Sequence, residues 1–517
     1  MPTQRRGAEL ALTAFAAVLF AAATALVDAA QCHPASVDVV GYGAGFVVVF
    51  TGAHTAVRRW APHADPLILP CVALLNGLGV VMIRRLDLAH AAAGQPTEDA
   101  SRQALWTVLG AGAFVAVLAA VRDHRRLARF GYTAGLVAVV ATAVPALLPS
   151  GVSEVNGAKV WIRLGPVSVE PGEFAKILLV VFAAAFLVRK RELFATAGRR
   201  IAGVELPRPR DLGPIAIATA ACLGMLTFEK ELGAALLFFG IILVMVYTAT
   251  GKAVWIGLGG TLFAGGSVLA CTLFTHVRQR VANWIDPLAT YDLPGGGYQL
   301  AQGLFGLGTG GLTGTGLGAG RPEAVPEAST DFITAAIGEE LGLTGLAAVL
   351  VVYLLIALRG LRAALTVREP FGKLLAGGLA FALVLQIFVV VGGVTKLIPE
   401  TGLTAPFLSA GGSSLLANYG LVAVLVRVSD AANRPAAPDA APVRTPVAEE
   451  LTRLVRPVVA KLAALPGADA LPPPPARPVP AIPGDPLGLG LFRGGPCDLV
   501  PSGRPTRVFG THPGRTP

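Results

Sequence analysis

The chain has 517 residues, of which 54% are hydrophobic and 14% are charged, and its mean hydropathy is +0.64. Soluble domains carry about 25% charged residues, so this composition excludes a soluble globular enzyme and indicates a polytopic membrane protein. The net charge of +10 does not indicate nucleic-acid binding, because the basic residues collect in short loops beside apolar segments.

Twelve apolar segments are each long enough to cross a bilayer as a helix, which takes about 20 residues. Short alternating segments with aromatic girdles, typical of a membrane barrel, are absent from the sequence, so the predicted fold is all-α. The basic start MPTQRR resembles a secretory signal, but the long apolar run after it lacks a cleavage site and predicts an uncleaved first span. The predicted spans are 10–30, 36–57, 66–84, 103–121, 131–149, 173–188, 212–228, 231–249, 254–275, 332–358, 374–395 and 405–426.

The basic residues also predict the orientation in the cytoplasmic membrane. With the N-terminus inside, most basic loops fall on one side, which the positive-inside rule assigns to the cytoplasm. An even number of spans returns the C-terminus to the same side. Arg84 and Arg85 are exceptions at the outer end of the third span. The outer face then carries the loops 85–102, 150–172, 276–330 and 396–404.

The outer loop before the sixth span concentrates charged and aromatic residues in NGAKVWIRLGPVSVEPGEFAK. Lys159, Trp161 and Arg163 predict a surface for an anionic headgroup. Glu173 and Lys176 are three residues apart, so they share a helix face and can pair. Ionisable residues at a membrane helix mouth favour a functional role, and the alternative is a belt tryptophan with snorkelling basic side chains.

The long outer loop combines Arg278 and Arg280 with a glycine-rich run that resembles a phosphate cradle. A nucleotide site is rejected because no strand precedes the run and no GK[ST] closes it. The pattern instead predicts a re-entrant or interfacial helix and loop whose backbone and arginines meet phosphate or sugar.

Asp331 follows this loop at the start of the longest apolar segment. Ser329 and Thr330 are natural N-cap residues, and the positive end of a helix stabilises a carboxylate. We therefore expect Asp331 to be ionised at neutral pH and able to accept a proton or hold a cation. The alternative is that Asp331 only assists capping.

The segment before the last span, LIPETGLTAPFLSAGGSSLL, contains prolines and glycines that interrupt a helix at the outer membrane edge. Broken helices at membrane depth line cavities, so we expect this segment, with Lys396 and Ser413, to line one. Residues 429–517 are rich in Pro and Ala without helical or strand periodicity, which predicts a disordered cytoplasmic tail.

Five motifs occur in the order seen in the SEDS proteins (shape, elongation, division and sporulation), the family of RodA and FtsW. They are the 156–176 loop, ELGAALL, RQRVANWIDP with its glycine-rich run, STDFITAAIGEELGLTG and ETGLTAPFLSAGGSSLL. The chain resembles this family over 66–428. The resemblance implies a ten-helix core, with residues 1–65 forming two additional N-terminal helices, as in some RodA-like actinobacterial members.

The resemblance implies a peptidoglycan glycosyltransferase that polymerises lipid II on the outer face of the membrane, for elongation, division or sporulation. It also implies a class B penicillin-binding protein as partner and identifies Asp331 as the essential aspartate of the TDF motif. Three motifs depart from the family pattern, namely KELG for PDLG, EPGEFAK for QPSEFAK and SAGGSS for SYGGSS. These departures leave the roles of Glu231, Glu170 and Ala410 open.

The expected chemistry needs a base for the acceptor hydroxyl and positive charge for the departing pyrophosphate. One carboxylate suffices for direct displacement with inversion, whereas retention needs a second close carboxylate. A divalent cation such as Mg²⁺ or Mn²⁺ is a possible addition to the protein's cations. The candidate cations are Lys159, Arg163, Lys176, Arg278, Arg280 and Lys396.

Two other functions fit the same sequence. Twelve spans with intramembrane charges also suit a lipid II flippase, although no convincing internal repeat is found. A scaffold for a penicillin-binding protein is the third hypothesis, and it predicts that Asp331 is dispensable.

Overall fold

The computed structural model describes residues 2–32, 37–154, 158–165, 167–196, 198–201, 204–207, 209–228 and 231–435. The tail beyond 435, Asn156 and Lys230 lie outside the described residues. The helices are α1 Pro2–Ala30, α2 Val37–Trp60, α3 Ile68–Ala92, α4 Asp99–Ala120, α5 Gly131–Leu147, α6 Ser150–Ser153, α7 Pro171–Thr196, α8 Pro209–Phe228, α9 Leu232–Thr250, α10 Val254–Leu273, α11 Thr275–Ile285, α12 Tyr298–Gly310, α13 Ile333–Thr366, α14 Pro370–Val394 and α15 Gly412–Asn433.

Short elements connect these helices. Two 3₁₀ helices cover His124–Phe130 and Pro322–Ala324. The strands β1 (Ile162–Leu164) and β2 (Val167–Val169) form an antiparallel hairpin before α7, with Arg163 opposite Ser168. A second antiparallel hairpin, β3 (Gly198–Ile201) and β4 (Val204–Pro207), follows α7.

The predicted all-α membrane fold is confirmed, since each of the twelve predicted spans coincides with a long helix. Within the described part of the chain, eleven helices are long and apolar enough to cross a membrane, and α8 is the twelfth long helix. The centre of the bundle is formed by α3, α7, α14 and α15. In the most apolar 18 residues of each helix, 78% of the residues are buried in α3 and 78% in α15. The corresponding share is only 11% in α10, which packs on α9 and α11 at the periphery.

Several helix boundaries differ from the prediction, among them those of α3, α13 and α15. Helix α3 continues to Ala92 instead of ending at 84, because its two arginines are buried and paired. Helix α13 continues to Thr366 and has non-helical backbone at Gly342, with φ 69°. Helix α15 begins at Gly412 instead of 405, because the Pro- and Gly-containing segment before it forms turns.

The two N-terminal helices pack directly against the rest of the bundle. Helix α1 contacts α2 and α3, and α2 contacts α3 and α4. Phe20 of α1 and Phe46 of α2 stack with their ring centroids 4.6 Å apart. A Cβ on Gly77 of α3 would lie 3.3 Å from the Phe46 ring, so the glycine allows the aromatic pair to sit close to α3.

Glycines of the outer loop allow α12 to lie against the start of α13. A Cβ added at Gly310 would lie 2.1 Å from the Gly338 carbonyl oxygen, and one at Gly303 would lie 2.7 Å from the Phe332 ring. Side chains at these positions would separate the two helices. The glycine-rich run thus contains a helix, α12, whose glycines serve close packing beside Asp331, while its re-entrant or interfacial position stays a prediction.

Candidate functional site

Asp331 lies in a tight turn immediately before α13. The chain reverses at Glu327, which has φ 55°, and the backbone N–H groups of Thr330 and Phe332 donate to the Glu327 carbonyl at 3.0 and 3.3 Å. The N-cap of α13 is Phe332, with no side-chain capping bond. The expectation that Ser329 or Thr330 caps the helix is therefore wrong, because the turn places them outside its first turn.

The carboxyl group of Asp331 is partly buried and held by two polar neighbours. The Thr330 hydroxyl lies 3.1 Å from Oδ1, and the Gln299 amide of α12 donates to Oδ2 at 3.4 Å. Burial and, after it, the Glu400 carboxylate raise the pKa of Asp331, the Thr330 hydrogen bond opposes them, and the resulting pKa is about 7. A carboxyl group with a pKa of about 7 is only about half ionised at pH 7, which differs from the expected ionised carboxylate because burial disfavours the charged form.

The Pro- and Gly-containing residues 397–411 before α15, here called the broken segment, are hydrogen-bonded to the turn that carries Asp331. The Ser409 hydroxyl contacts the Thr330 carbonyl oxygen and accepts a hydrogen bond from the Ala405 N–H at 2.8 Å. The Ala410 N–H donates to the Ser329 carbonyl at 2.7 Å. These bonds fix the two segments side by side.

Helix α4 supports the same segment from behind. The Gln103 amide donates to the Ser409 carbonyl at 2.9 Å and accepts from the Gly411 N–H at 3.3 Å. Gly412 lies against the Trp106 ring, since a Cβ there would be 2.1 Å from it. Sequence reasoning missed Gln103, and its only local signal was a polar residue in an apolar span.

The predicted pair of Glu173 and Lys176 is confirmed, and both residues are buried. The Lys176 ammonium group also donates to the Gln386 side-chain oxygen at 2.6 Å. The Gln386 amide donates in turn to the Thr404 carbonyl at 2.9 Å, and the Thr404 hydroxyl lies 2.7 Å from that of Ser414. The ion pair of α7 is thus connected through α14 to the broken segment.

Two carboxyl groups with raised pKa values, those of Glu400 and Glu231, lie in the field of the Arg280 guanidinium group. Burial raises the pKa of Glu400, and Arg280 opposes the shift. Burial also raises the pKa of Glu231 at the start of α9, with Arg280 opposing and with Glu173 and Asp331 adding to it. The Arg280 side chain donates to the Glu400 carbonyl at 2.9 Å. Raised pKa values of neighbouring acids are typical of functional sites.

The sequence did not identify Glu400, although a charged residue in a Pro- and Gly-broken membrane segment was a usable signal. Glu231 was recognised as the carboxylate of the KELG motif, with its role left open. In the described part of the chain, Oε1 of Glu231 has no hydrogen-bond partner. The same holds for the buried hydroxyl of Ser413, a predicted site residue at the start of α15. Both atoms retain capacity for a ligand.

The remaining predicted residues lie nearer the outer surface. Lys159 and Trp161 are partly exposed before the β1–β2 hairpin, and the exposed Arg163 donates to a backbone carbonyl at 3.1 Å. The side chains of Arg278 and Lys396 are exposed. The structure thus joins Asp331, Arg280 and the α7 pair in one region and leaves these five at its outer surface.

Among the residues described, no three His, Cys, Asp or Glu side chains are placed to hold a metal ion. Protein-bound divalent cations take most of their ligands from oxygen atoms, with several from water where the protein supplies few. The described residues thus offer no cluster of three such ligands, and the Mg²⁺ or Mn²⁺ considered from the sequence stays a prediction.

Comparisons with known proteins identify the family of the chain. The model of a family described as cell cycle protein, comprising FtsW, RodA and SpoVE, matches residues 66–434. The chain is 54% identical over 436 residues to peptidoglycan glycosyltransferase RodA of Mycobacterium tuberculosis, covering 84% of this chain and 92% of that protein. It is 34% identical to the probable peptidoglycan glycosyltransferase FtsW of Nitrosococcus halophilus, covering 73% and 95%.

Two solved structures share the fold. One is a chain from a peptidoglycan synthase complex studied for its coordination of polymerization and crosslinking, with a TM-score of 0.57 and 25% identity. The other is a variant of the rod shape determining protein RodA of Thermus thermophilus, with a TM-score of 0.51 and 24% identity. Each match covers 72% of this chain and 99% of the other.

Proposed function

Because the chain belongs to the SEDS family of FtsW, RodA and SpoVE and is therefore a peptidoglycan glycosyltransferase, we propose that Asp331 is its general base and lipid II its substrate. The observation that carries the proposal is a partly buried carboxyl group, with a pKa of about 7, in a turn hydrogen-bonded to α12 and to the segment before α15. A general base is most effective when its pKa is near the working pH.

In the proposed reaction, Asp331 accepts the proton of the acceptor sugar's 4-hydroxyl group. The hydroxyl oxygen attacks the anomeric carbon of the donor, a glycosidic bond forms, and the bond to the pyrophosphate oxygen breaks. The lipid pyrophosphate leaves with the electron pair of that bond. Direct displacement inverts the anomeric carbon and requires one base, so no covalent sugar–enzyme bond is needed.

Positive charge stabilises the leaving pyrophosphate, and Arg280 is the cation that acts on Glu231 and Glu400. Lys176 is the second, because it lies in the buried network that reaches the broken segment. The hydroxyl of Ser413 donates to a sugar or phosphate oxygen, while Glu173 orients Lys176. The exposed or partly exposed residues that form the outer part of the substrate site are Lys159, Trp161, Arg163, Arg278 and Lys396.

The proposed orientation places both termini in the cytoplasm and Asp331 on the extracytoplasmic side of the cytoplasmic membrane. The polyprenyl tails of lipid II then stay in the bilayer while their headgroups reach the site. No sugar nucleotide is required, because the pyrophosphate-linked donor already carries the leaving group.

The proposed partner is a class B penicillin-binding protein that crosslinks the product. Helix α13 offers its single membrane helix an apolar stripe, since Val351, Leu354 and Leu358 follow helical spacing and are about half exposed. Crosslinks from this stripe and from 276–330 to the partner are expected. Crosslinks confined to the cytoplasmic tail contradict this part of the proposal.

The central experiment supplies labelled lipid II to the purified protein with its partner and without nucleotide. Glycan polymer is expected, and Asp331→Asn is expected to slow polymerisation by about 10²–10⁴-fold, the usual contribution of a positioned base. Asn keeps the volume and hydrogen-bonding ability of Asp, so melting and partner binding should remain. Asp286→Asn is the matched control, because Asp286 is an exposed outer-face carboxylate that also accepts backbone N–H bonds.

Two outcomes replace the proposal with another function. A flippase would move lipid II across reconstituted vesicles without forming polymer under any partner condition. A scaffold would support polymerisation by its partner equally well with Asp331→Asn. Polymerisation at the parental rate by Asp331→Asn therefore removes the assignment of the base.

A further inference from the structure

The outer end of α1, which precedes the family match, contacts the loop that leads to Asp331. Asp28 and Arg84 of α3 form a buried bidentate ion pair, with N···O distances of 2.9 and 3.0 Å. One turn further along the chain, the Gln31 side-chain amide donates to the Gly318 carbonyl at 2.6 Å. The first contact joins α1 to the core, and the second joins α1 to the loop.

Gly318 is enclosed between two helices. Its backbone has φ 83°, a conformation that favours glycine, and a Cβ there would lie 2.6 Å from Cβ of Ala30. Its N–H donates to the Glu340 carboxylate of α13 at 3.0 Å. The loop backbone is therefore held by α1 on one side and by α13 on the other.

Arg85, the neighbour of Arg84, holds the next part of the loop. Its guanidinium group donates to the Glu340 carboxylate at 2.8 Å, to the Gly320 carbonyl at 2.7 Å and to the Glu323 carboxylate at 3.3 Å. Arg85 is only 2% exposed, so these bonds form in a poorly solvated region where they are strong.

The following residue of α3, Leu86, packs in an apolar cluster with Val325, Ala328 and Phe332. Phe332 is the residue next to Asp331. Three consecutive residues of α3 thus contact α1, the middle of the loop and the apolar cluster beneath the catalytic turn.

We infer that α1 is a buttress for the catalytic loop, in which Asp28 and Gln31 are positioning residues that hold 314–324 against α3 and α13. The inference rests on the proposed role of Asp331 as the base. The loop sequence GTGLGAG has glycines at four of its seven positions, three of them at positive φ, so its backbone is intrinsically permissive. External contacts are therefore needed to give Asp331 one position.

The test compares three variants of the full-length protein with its partner. Asp28→Asn removes the charge that pairs Arg84, and Gln31→Ala removes the bond to Gly318 without touching the bundle core. Glu9→Gln is the matched control, because Glu9 is a buried α1 carboxylate that pairs with Arg6 and His54 far along the helix from the loop. Asp28→Glu tests rescue by a retained charge.

Asp28→Asn and Gln31→Ala should accelerate amide hydrogen exchange in 314–330. Their turnover number with lipid II should fall by about 10- to 100-fold, since a displacement of about 1 Å can cost that much, while KM stays within about twofold. The acid limb of the pH–rate profile should move to lower pH, because a looser turn hydrates Asp331. Glu9→Gln should lower the melting temperature but leave exchange, turnover and the pH profile at parental values, and Asp28→Glu should restore most of the turnover.

Parental exchange in 314–330 for both Asp28→Asn and Gln31→Ala overturns the buttress. Equal loss of turnover in Glu9→Gln also overturns it, because the effect would then be general destabilisation. Failure of the proposed base appears elsewhere, as full activity of Asp331→Asn, and leaves the exchange result unchanged.

Discussion

Two clusters of buried charge lie near the outer helix ends, and they use their charges differently. At Arg84 and Arg85, each guanidinium group meets carboxylates in hydrogen-bonding geometry. In the second cluster, Asp331, Glu231 and Glu400 have raised pKa values, and Arg280 opposes the rise only at Glu231 and Glu400. The charges of the first cluster form ion pairs that stabilise the fold. The second cluster has raised proton affinity and, in our proposal, hydrogen-bonding capacity for a substrate.

This difference predicts that substitutions in the first cluster mainly lower stability, whereas substitutions in the second mainly lower activity. Removing one member of a paired buried cluster leaves an uncompensated charge and destabilises the protein. Removing a charge from a cluster with excess carboxylates relieves repulsion, so the folded state loses little while the chemistry loses its base.

The largest effect on stability is expected for Glu340→Gln. This change leaves the buried Arg85 without its closest carboxylate, so the free energy of unfolding should fall by about 3–5 kcal/mol. Unfolding in detergent followed by circular dichroism measures the loss. Glu98→Gln, an exposed change on the same face, is the control and should be silent. A stability loss in Asp331→Asn equal to that of Glu340→Gln would erase the distinction between the clusters.

An intermediate effect is expected for Glu173→Gln, because the buried Lys176 keeps Gln386 as a second partner. The free energy of unfolding should fall by about 1–3 kcal/mol, the usual cost of a poorly satisfied buried polar group. Polymerisation should fall as well, since the network reaches the broken segment. Unchanged melting and activity would show that the pair contributes neither to stability nor to the site.

The pH dependence reports the Asp331 cluster directly. With a pKa of about 7 for Asp331, the polymerisation rate should rise through pH 7 and be about tenfold below its plateau one pH unit lower. Glu400→Gln removes a neighbouring negative charge, so the acid limb should move to lower pH. An acid limb that stays in place in Glu400→Gln would show that the two carboxylates are not coupled.

The same pKa shift has a consequence for stability with a definite sign. The folded protein binds the Asp331 proton more tightly than the unfolded chain does, because the pKa of an aspartic acid in the unfolded chain has its ordinary value of 3.8. Stability should therefore decrease as pH rises from about 4 to about 7 and level off above that. Asp331→Asn should flatten this part of the stability profile, and a profile as steep as the parent's would contradict the shift.

The smallest effect is expected at the outer surface. Arg278→Gln should raise KM for lipid II by about two- to fivefold and leave melting unchanged, since exposed charge pairs contribute about 1 kcal/mol or less. Arg280→Gln, two residues away and partly buried, should lower turnover more strongly. Equal effects at the two arginines would place the pyrophosphate outside the carboxylate cluster.

Hydropathy predicted the membrane helices because length and composition are local properties. The Glu173–Lys176 pair was predictable for the same reason, since its spacing is three residues. The partners of Arg84 and Arg85 could not be predicted, because they are distant in sequence. Asp28 is 56 residues from Arg84, and Glu340 is 255 residues from Arg85. The expected N-cap failed because the turn at Glu327 depends on contacts with the broken segment.

The glycines of α12 allow that helix to act as a lever on the turn that carries Asp331. Gly310 at one end touches the α13 backbone, and Gln299, eleven residues away, touches Asp331. At 1.5 Å per residue the two contacts lie about 16 Å apart along the helix axis, so a wedge at one end tilts the other. The distance between the Gln299 amide and the Asp331 carboxylate therefore depends on the absence of a side chain at Gly310, at the other end of the helix.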